Sequence, residues 1–123
     1  MYSLILMGVT KMYAAWVPVR SLQESRKFYE HSLGLTFKLQ DEHWIEFDLH
    51  GTSLGLLHQE QVEPCKSHIM LQVDNLQQMH QELTKQGVRI VGKIRIEPYG
   101  KILTIEDPNG HWLELFQPSK VRQ

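Results

Sequence analysis

Ala14-Ala15-Trp16-Val17-Pro18-Val19-Arg20-Ser21-Leu22 and His68-Ile69-Met70-Leu71-Gln72-Val73-Asp74-Asn75-Leu76 are two versions of one segment. A shift of 54 positions lays Val17 on Leu71, Val19 on Val73, Leu22 on Leu76 and Ala14 on His68. Both versions alternate with the period of a strand, then run straight into a stretch with helical period. Each copy closes on a Leu-x-Leu strand, Leu54-Gly55-Leu56 in the first and Leu113-Glu114-Leu115 in the second. A duplicated strand–helix–strands unit brings two half-sheets around one cleft. The predicted fold is therefore α+β, with tandem βαβββ modules forming a curved mixed sheet around a cleft and helices on its outer face. The copies differ where chemistry would sit: the second carries His68 and Glu114, the first Ala14 and Gly55.

Outward from the repeat, the chain divides into an N-terminal extension (1–12), a first module (13–58), a linker (59–66), a second module (67–118) and a tail (119–123). In the first module Ser21-Leu22-Gln23-Glu24 reads as a capping box, Ser21 taking an orphan helix N–H and Glu24 reaching back. The helix carries Leu22, Tyr29 and Leu33 on one stripe and stops at Gly34. Strands are predicted at 35–39, 44–49 and 53–58, with His50-Gly51-Thr52 as a turn. In the second module Asp74-Asn75-Leu76-Gln77 caps a helix, and Leu76, Met79, His80 and Leu83 have i, i+3, i+4, i+7 spacing. Gln86-Gly87 ends that helix. Strands are predicted at 88–96, 101–105 and 112–116, the last two joined through the tight turn Asp107-Pro108-Asn109-Gly110.

Composition narrows the function classes. A chain of 123 residues fits one domain, or two half-modules sharing a core. Chains of this size bury roughly two-thirds of their unfolded surface, so neither disulfides nor a structural metal is needed for folding. A net charge of −1 argues against a nucleic-acid partner, which favours a basic face. The single Cys65 has no internal disulfide partner, which fits a reducing compartment. With no activating neighbour in view, it reads as a loop thiol rather than a nucleophile. The apolar run 4–9 lacks a preceding basic stretch and falls far short of the roughly 18 residues that span a membrane. Residues 1–12 therefore read as a non-secretory extension, and the expected location is the cytoplasm.

If the apolar strand faces pack on the helices, parity fixes the opposite face. It receives Trp16, Trp44, Glu46, Asp48, Gly55, His68, Met70, Gln72, Trp112, Glu114 and Phe116. A cleft rimmed by aromatics with a few polar groups suits a small organic ligand. Trp16, Trp44, Met70, Trp112 and Phe116 are the expected contacts, with Tyr99 stacking from the loop before the penultimate strand. Glu46 and Asp48 read as exposed polar residues of a sheet edge rather than general bases. His68 and Glu114 face each other on this frame, either as an acid/base or ligand-orienting pair or as a satisfied polar pair.

Two segments carry a family resemblance. The run from Ser21 to Leu35, SLQESRKFYEHSLGL, resembles the DLxxSxxFYxxxLGL segment of the vicinal oxygen chelate superfamily. That group includes glyoxalase I, bleomycin-resistance proteins and extradiol dioxygenases. Asp107-Pro108-Asn109-Gly110-His111-Trp112-Leu113-Glu114-Leu115 resembles its closing DPxGxxxEL signature. The match runs from about Tyr13 to Pro118. The resemblance implies a divalent metal (Fe, Mn, Ni or Zn) held by a His on the first strand of each half and a Glu on the last strand of the second. Carried over, these positions are Ala14, His68 and Glu114; a further glyoxalase-type carboxylate falls on Gly55. Only His68 and Glu114 are ligands. One His and one carboxylate hold an ion weakly unless substrate or another side chain completes the shell.

Two functions follow from this. In the first, the protein binds a small aromatic or planar molecule in the sheet cleft with no cofactor, as a bleomycin-resistance protein does. In the second, it is a divalent-metal enzyme of glyoxalase or extradiol dioxygenase type using His68 and Glu114. The resemblance further implies a homodimer, which would cover open sheet edges.

Overall fold

The computed structural model describes residues 8–119, without the side chains of Ser67 and His68. Most of the expected N-terminal extension and the last four residues of the tail thus lie outside the described residues, as does the His68 side chain. The first module comprises β1 (Ala14–Val19), α1 (Leu22–Lys27), β2 (Thr36–Gln40), β3 (Trp44–Leu49) and β4 (Thr52–His58). The second comprises β5 (Lys66–Gln72), α2 (Leu76–Lys85), β6 (Arg89–Glu97), β7 (Gly100–Glu106) and β8 (Trp112–Pro118). Each module forms a four-stranded sheet, ordered β1-β4-β3-β2 and β5-β8-β7-β6. The β1/β4 and β5/β8 pairs are parallel and the others antiparallel. The α+β fold of two βαβββ units read from the repeat is the fold observed.

Alternation decides which face packs. Val17, Val19, Ile45, Phe47, Leu54 and Leu56 point toward α1, and Leu103, Ile105, Leu113 and Leu115 toward α2. With Tyr29, Leu76 and Leu83 they form one buried cluster. Each such side chain contributes about 1.5–3 kcal/mol on burial. Both helices start where their caps predict. Ser21 Oγ accepts from the Glu24 N–H at 3.1 Å, and Asn75 Oδ1 from the Gln78 N–H at 3.0 Å. Among the described residues Glu24 returns no bond to Ser21, so the first cap is half of a box.

The first helix departs from expectation. After Lys27 it widens into a π-helical turn over Phe28–Ser32, where the Leu33 N–H reaches Phe28 O at 3.1 Å. The extra residue in the turn lets the adjacent Phe28 and Tyr29 both enter the core, their rings edge-on at 5.1 Å. A regular helix would turn one of them away.

The modules are locked by the Asp107–Gly110 turn, which reaches across to the first helix. Tyr29 Oη donates to Asp107 Oδ2 at 2.6 Å, Asn109 Nδ2 donates to Ser25 Oγ at 3.0 Å, and the Arg20 N–H donates to Asn109 Oδ1 at 3.0 Å. Asp107 Oδ1 also closes its own turn, accepting the N–H groups of Asn109 and His111. Buried His111 bridges β1 and the linker. Its Nδ1 accepts the Cys65 N–H at 2.9 Å, so the hydrogen sits on Nε2, which donates to Pro18 O at 2.6 Å.

Candidate functional site on the helix-free sheet face

The register confirms the pairing of the two copies. Gly55 lies between Trp16 on β1 and Glu46 on β3, while Glu114 lies between Met70 on β5 and Thr104 on β7. Gly55 and Glu114 are thus equivalent, and so are Glu46 and Thr104. The second module carries its carboxylate on the last strand, whereas the first carries its own one strand over.

In the first module that carboxylate is buried and fully engaged. Glu46 is 3% exposed and accepts from Trp44 Nε1 at 3.0 Å and Tyr13 Oη at 2.9 Å, with Lys38 Nζ at 3.2 Å. Burial on its own raises the carboxyl pKa. Hydrogen bonds from Ser53, Trp44, Tyr13 and Lys38 outweigh it and hold the group at about 2. The expectation that Glu46 is an exposed edge residue is therefore corrected: its neighbours on β2 and before β1 fold over it. The indole of Trp44, one of its donors, packs against Gly55. A Cβ at position 55 would fall within the indole. The place that a carboxylate takes on β8 is here filled by a tryptophan ring.

In the second module Glu114 faces a cation of the same chain. Arg95 Nη2 donates to Glu114 Oε2 and Arg95 Nη1 to Thr104 Oγ1, both at 3.2 Å. Alternation puts Arg95 on this face, and a bulge sets its register. Val91 opposes Thr104 and Arg95 opposes Ile102, so residues 92–94 stand against Leu103 alone. Gly92 takes the left-handed φ of +79° that the bulge requires. Sequence reasoning missed Arg95, Tyr13 and Lys38. The signal for Arg95 was present as Gly92 inside an otherwise regular strand, a mark of a bulge that shifts the register.

The expected ligand contacts divide into three places. Trp16 and Trp112 line a slot of about 220 Å³ between β1 and β5/β8, together with Ala15, Cys65, Ile69 and His111. Lys66 Nζ lies 4.4 Å above the Trp112 ring, whose Nε1 donates to Glu106 at 3.1 Å. Tyr99 pairs with Phe116 at 6.1 Å between centroids, on the sheet that carries Met70 and Glu114. Trp44 stands apart on the first sheet. A larger cavity of about 530 Å³ lies on the outer side, between α1 and the start of β6. It is open and mixed in charge and contains none of these residues.

The residues present do not fit the metal that the fold family implies. Ala14 has no donor, position 55 has no side chain and is covered, and Glu114 is paired with Arg95. Among the described residues no group of three or more His, Cys, Asp or Glu converges. His43 and His58, two further histidines of the first module, stack on each other at 6.5 Å.

The family model of the Glyoxalase/Bleomycin resistance protein/Dioxygenase superfamily matches residues 11–115, and the chain belongs to that superfamily. Its fold is shared with a protein of the glyoxalase family from Bacillus anthracis (18% identity, TM-score 0.79, 94% of this chain and 100% of that one). It is shared also with TnmS3, an antibiotic binding protein from Streptomyces sp. CB03234 (20%, 0.77, 93% and 100%). A third is lactoylglutathione lyase from Agrobacterium tumefaciens (15%, 0.75, 89% and 94%). At these identities the likeness is one of fold. A search of curated protein sequences finds no match. Among the described residues no helix is long and apolar enough to cross a membrane.

Proposed function

We propose that the chain binds a small aromatic or planar molecule on its helix-free sheet face and does so without a tightly bound metal. The observation that carries this reading is the filling of both halves of the family's metal position from within, by Trp44 over Gly55 and by Arg95 on Glu114. What remains is exposed area on both sheets: Trp16 on the first and Met70 on the second are each 50% exposed, and Phe116 shares the face of Met70. Aromatic and thioether surfaces of this kind bind flat molecules through contact rather than reaction. One structural relative is by its description an antibiotic binding protein, and the same use suits this face.

The half-exposed Trp16 and Met70 also support the homodimer, since a second copy laid on this face would complete the cleft and shield them. The cytoplasm remains the proposed location.

The test is a titration of intrinsic tryptophan fluorescence with a panel of neutral bicyclic aromatics. Saturable quenching that is weakened at least tenfold in Trp16→Ala or Met70→Ala is the expected result. A panel that leaves the fluorescence unchanged, alongside turnover of a dicarbonyl–thiol adduct or a catechol, would replace this reading with the enzyme.

A further inference from the structure

We propose that Arg95 takes over the place of a metal ion beside Glu114, and that the two side chains together read a neutral planar ligand. That ligand carries a hydrogen-bond donor next to a carbonyl, as a lactam edge does. The inference rests on the small-molecule reading above and names the class of molecule that reading leaves open.

The geometry is specific. Guanidinium carries five N–H donors, of which one goes to Thr104 and one to Glu114. The others have no acceptor among the described residues. Glu114 uses Oε2 for Arg95, and its Oε1 receives no donor among the described residues. A spare donor and a spare acceptor therefore stand side by side. Arg95 and Glu114 side chains are 45% and 23% exposed, so both are reachable from the face.

The surroundings decide what kind of molecule is read. Ile102 lies opposite Arg95, Phe116 opposite Ile102, and Met70 opposite Glu114, all on the same side of the sheet. Ile102 is 6% exposed and forms the floor, so a flat apolar body would rest on half-exposed Met70 and on Phe116 with one polar edge turned to the pair. The pair is close to neutral as a unit. An added anion would meet Glu114 and an added cation Arg95, so an uncharged ligand with both a donor and an acceptor is favoured. Its carbonyl accepts from Arg95 while its N–H or O–H donates to Glu114. A ligand lacking either group would displace water from the pair and leave a donor or an acceptor unsatisfied, which is a strong source of discrimination. Entry of a divalent ion at Glu114 would instead have to expel the guanidinium.

Quinolin-2-one and N-methylquinolin-2-one separate these ideas, because methylation removes the donor and keeps the carbonyl and the rings. Both are titrated into wild-type protein, Glu114→Met and Arg95→Met, with binding read by chemical shift and by calorimetry. Wild type is expected to favour quinolin-2-one by about tenfold or more, Glu114→Met to lose most of that preference, and Arg95→Met to bind both compounds more weakly, since both keep the carbonyl. Arg95→Lys restores a charge but not the fork, and is expected to recover only part. Equal binding of the two compounds by wild type overturns this inference and leaves the small-molecule reading intact. A preference that survives in Glu114→Met, or undiminished binding of both compounds by Arg95→Met, with the variants folded by circular dichroism, overturns the paired reading. Absence of any response, to these compounds and to the wider aromatic panel, overturns the underlying reading as well.

Discussion

At position 55 the absent side chain is replaced by a neighbour's ring. Trp44 lies where a Gly55 Cβ would be, and Glu46 holds its indole N–H. Gly55→Ala must push the indole off the sheet. The expected result is a red-shifted tryptophan emission, an altered near-ultraviolet dichroism and a loss of about 1–3 kcal/mol of stability, the usual cost of overpacking. An unchanged spectrum would show that Trp44 does not rest there. Glu46 supplies a pH signature. Its pKa is held at about 2 against an ordinary 4.5, so the folded state favours the charged form. The stabilisation is fully present above about 4.5 and is lost as pH falls through about 2. Glu46→Gln should remove that dependence, flattening the stability curve between pH 5 and 2 by about 1–3 kcal/mol in chemical denaturation. Parallel curves for the two proteins would refute it. Period-two parity placed Trp44, Glu46 and Gly55 on one face from sequence alone. The contact among them was not legible, because it depends on a side-chain rotamer and on Lys38 and Tyr13 arriving from other segments.

Among the elements, strands and helices were legible to within a residue or two, because alternation and caps are local signals. The two exceptions are both slips in local winding. In the first helix a π turn seats Phe28 and Tyr29 together in the core. In β6 the Gly92 bulge takes up two extra residues, so Arg95 stands opposite Ile102. Neither slip leaves a periodicity that a short window can resolve. The bulge makes a direct prediction. Gly92→Ala meets no neighbouring atom, yet must hold a left-handed φ of +79°. It should cost about 1 kcal/mol in urea denaturation and weaken the Arg95–Glu114 contact with it. If stability and quinolin-2-one binding both stay at wild-type levels, the bulge does not aim Arg95.

Over the whole molecule the two modules behave as one body through the Asp107–Gly110 turn and His111, not through shared strands. Tyr29 shows how tight that lock is. Burial first, then the charge and hydrogen bond of Asp107, push its phenol well above the ordinary value of 10. Its contribution is therefore present below pH 10 and is lost only as pH rises through that raised value. Tyr29→Phe leaves Asp107 without this donor and should cost about 1–3 kcal/mol, seen as a lower thermal midpoint below pH 10. An unchanged midpoint would move the lock elsewhere. The turn sequence predicted a tight turn, but its partners lie 78 and 84 residues away along the chain. Such pairings are set by the packing of one module on the other and leave no local pattern.

On the proposed reading, Arg95 and Trp44 stand where the superfamily's metal chemistry would otherwise be built. Metal content tests it most directly, by inductively coupled plasma mass spectrometry on untagged protein before and after incubation with Fe(II), Mn(II), Ni(II) and Zn(II). Retention far below one ion per chain after desalting is the predicted result. Near-stoichiometric retention of one ion, abolished in both His68→Ala and Glu114→Ala, would contradict it and return the protein to the metal enzymes.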